Sequence, residues 1–167
     1  TQEYINVSDQ EDWNIGTLAG ESCCHEFWFY DGLHIGYTTG GMWAGRRTSQ
    51  NIFGDVAVTN IDGSDRRIYG EDGYNPNHVG ISPDGRWIVG DEQLKAGNPM
   101  NLILIDTKTN KSWLLAKPNG MDNPGHTHPQ FSWDGKKVFF GLANEDYTKT
   151  NVGWMDISDI VENENPV

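Results

Sequence analysis

Residues 78–92 read HVGISPDGRWIVGDE, and the pattern occurs twice more without a gap: HEFWFYDGLHIGYTT at 25–39 and HPQFSWDGKKVFFGL at 128–142. Each copy opens on a histidine and carries an Asp-Gly pair six residues later: Asp31-Gly32, Asp84-Gly85 and Asp134-Gly135. Asp-Gly between two apolar runs predicts a tight hairpin, because glycine accepts the positive φ that such a turn requires. Beyond the turn the copies stay in step, with Ile35, Ile88 and Val138 in one column. Each then leads into a second hairpin with a polar turn beside Asp62, Asp106 or Asp156: VAVTNIDGSDRRIY from Val56, LILIDTKTNKSWLL from Leu102 and, most weakly, VGWMDISDI from Val152.

Asp31 and Asp84 are 53 positions apart, and Asp84 and Asp134 are 50 apart. Four strands in roughly 40–50 residues is the period of a β-propeller blade. Helical solenoids of similar period are excluded, since the segments alternate with period two. The spacing predicts an all-β chain of about three four-stranded blades, at residues 20–70, 71–120 and 121–167. Residues 3–17, EYINVSDQEDWNIGT, read as outer strands of a preceding blade, so that 1–19 is its remnant. A closed ring takes about four to eight blades. Either further N-terminal blades or copies of the chain in a homo-oligomer are therefore expected to complete it and cover the open sheet edges.

Composition agrees with a turn-rich β protein: 167 residues include 20 glycines and 7 tryptophans. A net charge of −12 argues against nucleic acid and against anionic membrane surfaces as partners. No apolar run approaches the roughly 20 residues of a membrane span. The sequence opens at Thr1 with neither an initiator Met nor a signal-peptide pattern, which reads as a start inside a longer protein. The two cysteines, Cys23 and Cys24, are adjacent; they form no disulfide framework and no C-x-x-C pair, and read as small residues at a strand start.

Three of the five histidines, His25, His78 and His128, occupy the same repeat position, and His126 lies two residues before His128. If residues 126–128 are strand, both of these side chains share one face. In a propeller the innermost strands line the channel, so one repeat column comes to one depth. The column could serve packing or hydrogen bonding; the stronger reading is a convergent imidazole cluster, either a metal site or an acid–base site. His34 falls in another column, with Trp87 and Lys137, at an expected half-exposed strand position. Imidazoles joined by an amide or carboxylate oxygen favour a harder ion such as manganese or iron. Asn123 and Asn77 are the candidate oxygen donors, whereas Asp31, Asp84 and Asp134 are expected to shape their turns.

The stretches GESCCHEFWFYDG (20–32), NHVGISPDGRWIVGD (77–91) and HTHPQFSWDGKKVFF (126–140) resemble, in order, three motifs of the oligogalacturonate lyases. That family consists of seven-bladed β-propeller polysaccharide lyases. The Cys-X-His-Glu-Phe-Trp and His-X-His-Pro motifs carry most of the likeness. The resemblance implies a Mn2+ ion bound by His78, His126 and His128, with Asn123 where the family has a glutamine, one methylene longer. It implies His25 as the general base. The family's substrate-clamping arginine belongs to a preceding blade, upstream of Thr1. Cytoplasmic localisation, too, is implied by the resemblance alone. The implied reaction is β-elimination on an acidic oligosaccharide, an oligogalacturonide. A base takes the C5 proton of a uronate, a divalent cation on the carboxylate stabilises the enolate-like intermediate, and the C4 oxygen leaves. The cation would also draw an anionic substrate to an acidic protein.

Arg46, Arg47 and Trp43, in the loop GGMWAGRRTSQNIF, are candidate substrate contacts. Trp28, Trp87 and Trp133 are expected in the core. Two further readings stay open: a propeller module that binds uronides without chemistry, and a metal-dependent hydrolase or isomerase of another uronic acid.

Overall fold

The computed structural model describes residues 23–39, 55–70, 74, 76–92, 100–119, 126–146 and 148–163. Three antiparallel meanders follow one another. The first is β1 (Cys23–Trp28), β2 (His34–Thr39), β3 (Val56–Asn60) and β4 (Arg67–Tyr69). The second is β5 (Val79–Ile81), β6 (Trp87–Glu92), β7 (Asn101–Asp106) and β8 (Lys111–Ala116). The third is β9 (Gln130–Phe131), β10 (Lys137–Ala143) and β11 (Thr150–Asp156), followed by the short helix α1 (Ser158–Glu162). Each sheet is a propeller blade in strand order and connection. Among the described residues no helix is long and apolar enough to cross a membrane.

One local chemistry builds the first turn of every blade. Gly32, Gly85 and Gly135 have φ of 68°, 73° and 70°, and each donates its N–H to the carbonyl three residues back, on Phe29, Ser82 or Ser132. The aspartate before each glycine accepts the N–H two residues on: Leu33 to Asp31 at 2.8 Å, Arg86 to Asp84 at 3.0 Å and Lys136 to Asp134 at 3.1 Å. The three aspartates thus shape turns, as expected. His34 also sits as expected, half-exposed, with Nδ1 2.6 Å from Asp31.

The central blade is buried on both faces, which explains the unbroken apolar runs of β6 and β7. On one side Ile81, Ile88 and Ile105 pack with Phe29, Val56, Val58 and Tyr69 of the first blade. On the other, Val89 packs with Val138 and Ile157, flanked by Leu115, Phe131, Phe140 and Met155. Each fully buried aliphatic side chain contributes about 1.5–3 kcal/mol relative to exposure. These two layers fix the relative placement of the blades and hence of the residues at their strand ends.

Two expectations are corrected. The stretch from Val152 does not return as a fourth strand. Asp156 accepts hydrogen bonds from the Ser158 N–H and hydroxyl, and Ile160 and Val161 donate to the Ile157 carbonyl, so the chain turns into α1. Ile157, Ile160 and Val161 have helical, not alternating, spacing, and all three pack on the second core cluster. Of the repeat tryptophans only Trp87 is core; Trp28 is 61% and Trp133 85% exposed. Trp133 stands in its turn, where its ring meets Tyr30 edge-on at 5.7 Å.

Asp106 ties the second hairpin of the central blade together. It accepts from the Lys108 N–H at 2.9 Å and the Thr109 hydroxyl at 3.0 Å, and its two oxygens meet Arg86 at 3.3 Å each. Burial would raise its pKa, but the Arg86, Lys108 and Thr109 bonds outweigh this and hold the carboxyl below the usual carboxylate value. A depressed folded pKa means stability that is complete above the unfolded value of about 3.9 and lost as pH falls through the folded one. Urea midpoints measured from about pH 6 down to pH 3 should fall more steeply for the native chain than for Asp106→Asn.

Candidate metal centre

The register set by the Asp-Gly turns decides what faces each repeat histidine. Val79 pairs with Gly90, so His78 lies opposite Asp91. The other two blades depart from this register: Cys24 pairs with Thr38, and the Gly141 N–H bonds the Thr127 carbonyl. Asp91 is fully buried and accepts four hydrogen bonds. Its Oδ1 takes the His78 backbone N–H at 2.9 Å and faces His78 Nδ1 at 3.0 Å. Its Oδ2 takes the Thr127 hydroxyl at 2.8 Å and the His128 N–H at 3.0 Å. One carboxylate on β6 therefore holds a histidine of its own blade and the His-X-His segment of the next. Burial would raise its pKa, but the His78 and Thr127 hydrogen bonds prevail and keep it low, so Asp91 is ionised. An ionised carboxylate only accepts, so His78 donates an Nδ1 proton to Asp91, and in the neutral ring the Nε2 lone pair then faces His126 Nδ1.

The His-X-His pair does not sit in a strand. Residues 126–129 precede β9, and His128 has a φ of 39°. The two rings converge through this left-handed residue rather than by strand alternation, which corrects the expected route to the same result. Gly141 makes the placement possible: its N–H bonds the Thr127 carbonyl at 2.7 Å, and a Cβ there would come within 2.9 Å of the His126 carbonyl oxygen. His126 Nδ1 lies 3.4 Å from His78 Nε2. The His78 ring centroid is 4.8 Å from His126 and 3.7 Å from His128. Ligand nitrogens of His78, His126 and His128 all fall within 4.8 Å of one another. Two nitrogens bound to one cation at about 2.1 Å stand about 3.0–3.4 Å apart at angles of about 90–110°. The His78 Nε2–His126 Nδ1 pair already has this spacing, and the trio, with one buried, one half-buried and one exposed ligand, could hold a divalent ion once its wider pairs draw in.

His25 completes a fourfold convergence. A register shift in β1 between Cys24 and Phe27, with φ of 55° at His25, re-aims this side chain out of the strand pattern. Its ring centroid is 4.5 Å from that of His78, and Nδ1 is 3.3 Å from the Thr38 hydroxyl. Burial first, then the neighbouring His78, push the His25 pKa below the usual imidazole value, against opposing contributions from a backbone bond at Asn77, Asp91 and Glu26. Burial and His78 likewise lower His128. Both rings are neutral at neutral pH, the form that binds a metal or takes a proton. Two non-glycine residues at positive φ in one cluster is strain held by the surrounding fold, a feature of functional sites.

Sequence reasoning missed Asp91 and Thr127. The signal for Asp91 was present: with the turn at Asp84-Gly85, position 91 must lie opposite position 78. Asn123, Arg46, Arg47 and Trp43, together with the expected remnant at 1–19, lie outside the described residues.

No family model and no curated protein matches the chain. Solved structures do match. An oligogalacturonate lyase in complex with manganese superimposes with TM-score 0.67 and 21% identity, over 86% of this chain and 37% of the lyase. The β-propeller domain of the Trilobed protease from Pyrococcus furiosus gives TM-score 0.60 and 15% identity, over 83% and 40% of the two chains. A putative TolB from Agrobacterium tumefaciens gives TM-score 0.56 and 21% identity, over 78% and 44%. The chain spans less than half the length of each. The fold is that of a β-propeller, and a histidine cluster able to hold a metal ion stands at the ends of its blades.

Proposed function

We propose that the chain carries the elimination centre of a metal-dependent polysaccharide lyase acting on oligogalacturonides, with Mn2+ as the ion. The observation that carries this reading is the placement of a neutral, solvent-reachable His25 ring 4.5 Å from His78, the central member of a three-imidazole cluster. A base beside a cation site is the pairing needed to remove a weakly acidic proton α to a carboxylate. His78, His126 and His128 would hold the ion; once bound, it supplies a Lewis acid for the uronate carboxylate. His25 takes the C5 proton, with Thr38 orienting its ring through the contact to Nδ1. Asp91 keeps the His78 proton on Nδ1, away from the ligand nitrogen. The likeness to a manganese-bound oligogalacturonate lyase supports the reading.

Ring closure belongs to the same proposal. Phe139 pairs with Trp154, and Gly141 with Val152, so Phe139, Val152 and Trp154 share one face of the third sheet, and all three are exposed. Further blades or a second copy would cover such a surface.

Incubated with a digalacturonide or trigalacturonide and Mn2+, the protein should form a 4,5-unsaturated product detectable by its absorbance. Chelation should stop the reaction, and added Mn2+ should restore it. Turnover that ignores chelation sinks the mechanism. The same fold occurs in a TolB protein and a protease domain, so the fold by itself is compatible with a rival reading, a uronide-binding module without chemistry. Calorimetric binding of digalacturonate with no product would select it.

A further inference from the structure

The turn ends of the first two blades enclose a cleft of about 220 Å³, away from the histidine centre. Asp31 and His34 lie at the β1–β2 turn, Asp65 and Arg67 at the start of β4, and Asp84 and Gly85 in the β5–β6 turn. His25 and His78 stand toward the opposite ends of the same strands, in the first half of β1 and just before β5. Both walls of the cleft belong to this chain, so blades added to complete a ring would not fill it. Its floor is Phe29 and Val58, two members of the core between the blades. Gly85 keeps that floor uncovered, since a Cβ there would stand 3.6 Å from the Phe29 ring. The polar lining is only partly used. Asp84 Oδ1 accepts from the Ser82 hydroxyl and the Arg86 N–H, and Oδ2 has no partner among the described residues. Asp65 Oδ2 accepts from Arg67, and its Oδ1 likewise has none among the described residues. The Leu33 N–H holds the Asp31 carboxyl below its usual value, so Asp31 is ionised and accepts the His34 Nδ1 proton. In the neutral ring Nε2 is then a further acceptor.

We propose that this cleft binds a short alkylammonium ion, its stem on Phe29 and Val58 and its charged end among the carboxylates of Asp65 and Asp84. The site is independent of the metal-centre reading. Asp31, Asp65 and Asp84 against Arg67 leave the lining with an excess of negative charge. The Arg67 guanidinium is itself engaged by Asp65 and Tyr69, so it is not free to draw in an anion. An ammonium brings three N–H donors, which suits a lining whose unused groups are all acceptors. Its alkyl stem suits the apolar floor, which a bare metal ion would leave wet. Size points the same way. An apolar cavity of about 150 Å³ takes a benzene molecule, so this cleft has room for about six to nine heavy atoms. A butylammonium ion or a slightly longer one fits that space.

The test is titration of the native chain with n-butylamine, n-butanol and butyrate at neutral pH and low salt, where surface charges are least screened. The readouts are the amide shift of Gly85 and the ring shifts of His34. Butylammonium should move both along a saturable curve, and the alcohol and the carboxylate should leave them in place. Asp65→Asn combined with Asp84→Asn should weaken butylammonium binding about three- to twentyfold, the loss of two exposed ion pairs. Asparagine suits both positions: it tolerates the φ of 53° at Asp65 and keeps an oxygen for the turn at Asp84. Nα-acetyl-lysine methylamide carries the same butylammonium group on a peptide backbone. Binding as tight as that of butylamine would assign the site to a lysine presented by a partner chain, and rejection would assign it to a free amine; the ammonium site stands in either case. Equal binding of the alcohol, native affinity in the double variant, or no saturable shift at Gly85 and His34 each overturns the proposal.

Discussion

Replacing His25 with Asn should lower kcat by about 10²–10⁴-fold, the usual contribution of a positioned general base, while Mn2+ affinity stays within about twofold of native. Asn is the informative substitute because His25 has a φ of 55°, a left-handed conformation that Asn tolerates and Ala does not. Loss of activity then reports the imidazole and not a strained backbone. Affinity should survive because the three ligand atoms come from His78, His126 and His128. Those rings are held by Asp91 and by the Gly141–Thr127 backbone bond, none of which involves His25. A second arm adds Thr38→Val, which removes the hydroxyl 3.3 Å from His25 Nδ1 and should reduce kcat more than KM changes. Full turnover in His25→Asn, measured as formation of the unsaturated product, would remove the base from the mechanism. Coincident loss of metal binding would recast His25 as a ligand.

The parts of the fold that were legible in the sequence are those whose cause is local. Asp31, Asp84 and Asp134 announce their turns because the aspartate oxygen bonds a backbone N–H only two residues away. The histidine column was legible for a different reason: a repeat copies a position in space, whatever the residue there does. What failed depends on neighbours. Trp28 and Trp133 share their motif with buried positions, but a repeat column does not say whether another sheet covers it. The stretch from Val152 had strand-like composition, yet Asp156 and the spacing of Ile157, Ile160 and Val161 draw it into a helix against the core. Strand alternation would place His126 and His128 on one face; a left-handed residue and the glycine at position 141 bring them together instead. Asp91 could have been placed by counting register. Its importance could not, because the bonds it accepts from Thr127 and His128 cross to the next blade.

Asp91→Asn should be the most damaging single-atom exchange in the molecule. The carboxylate accepts from two backbone N–H groups, an imidazole N–H and a hydroxyl, and every one of these partners is oriented to donate. An amide offers one oxygen and turns an NH2 toward the rest, so at least one oxygen's worth of donors faces another donor in a fully buried place. Each buried group left unsatisfied costs about 1–3 kcal/mol, which puts the expected destabilisation at about 2–4 kcal/mol. That loss should appear as a lower urea midpoint with an unchanged slope, since the unfolded chain is untouched. Metal affinity should fall by a further ten- to hundredfold, about the effect of losing the partner that fixes a ligating histidine. Nitrogen-15 chemical shifts of His78 supply the independent readout: in the native chain the proton resides on Nδ1, and in Asp91→Asn the two tautomers should mix. If the variant melts, titrates with Mn2+ and holds its tautomer as the native chain does, the blades are joined at this end by packing alone. The histidines of adjacent blades would then owe their convergence to the sheet geometry and not to a shared anion.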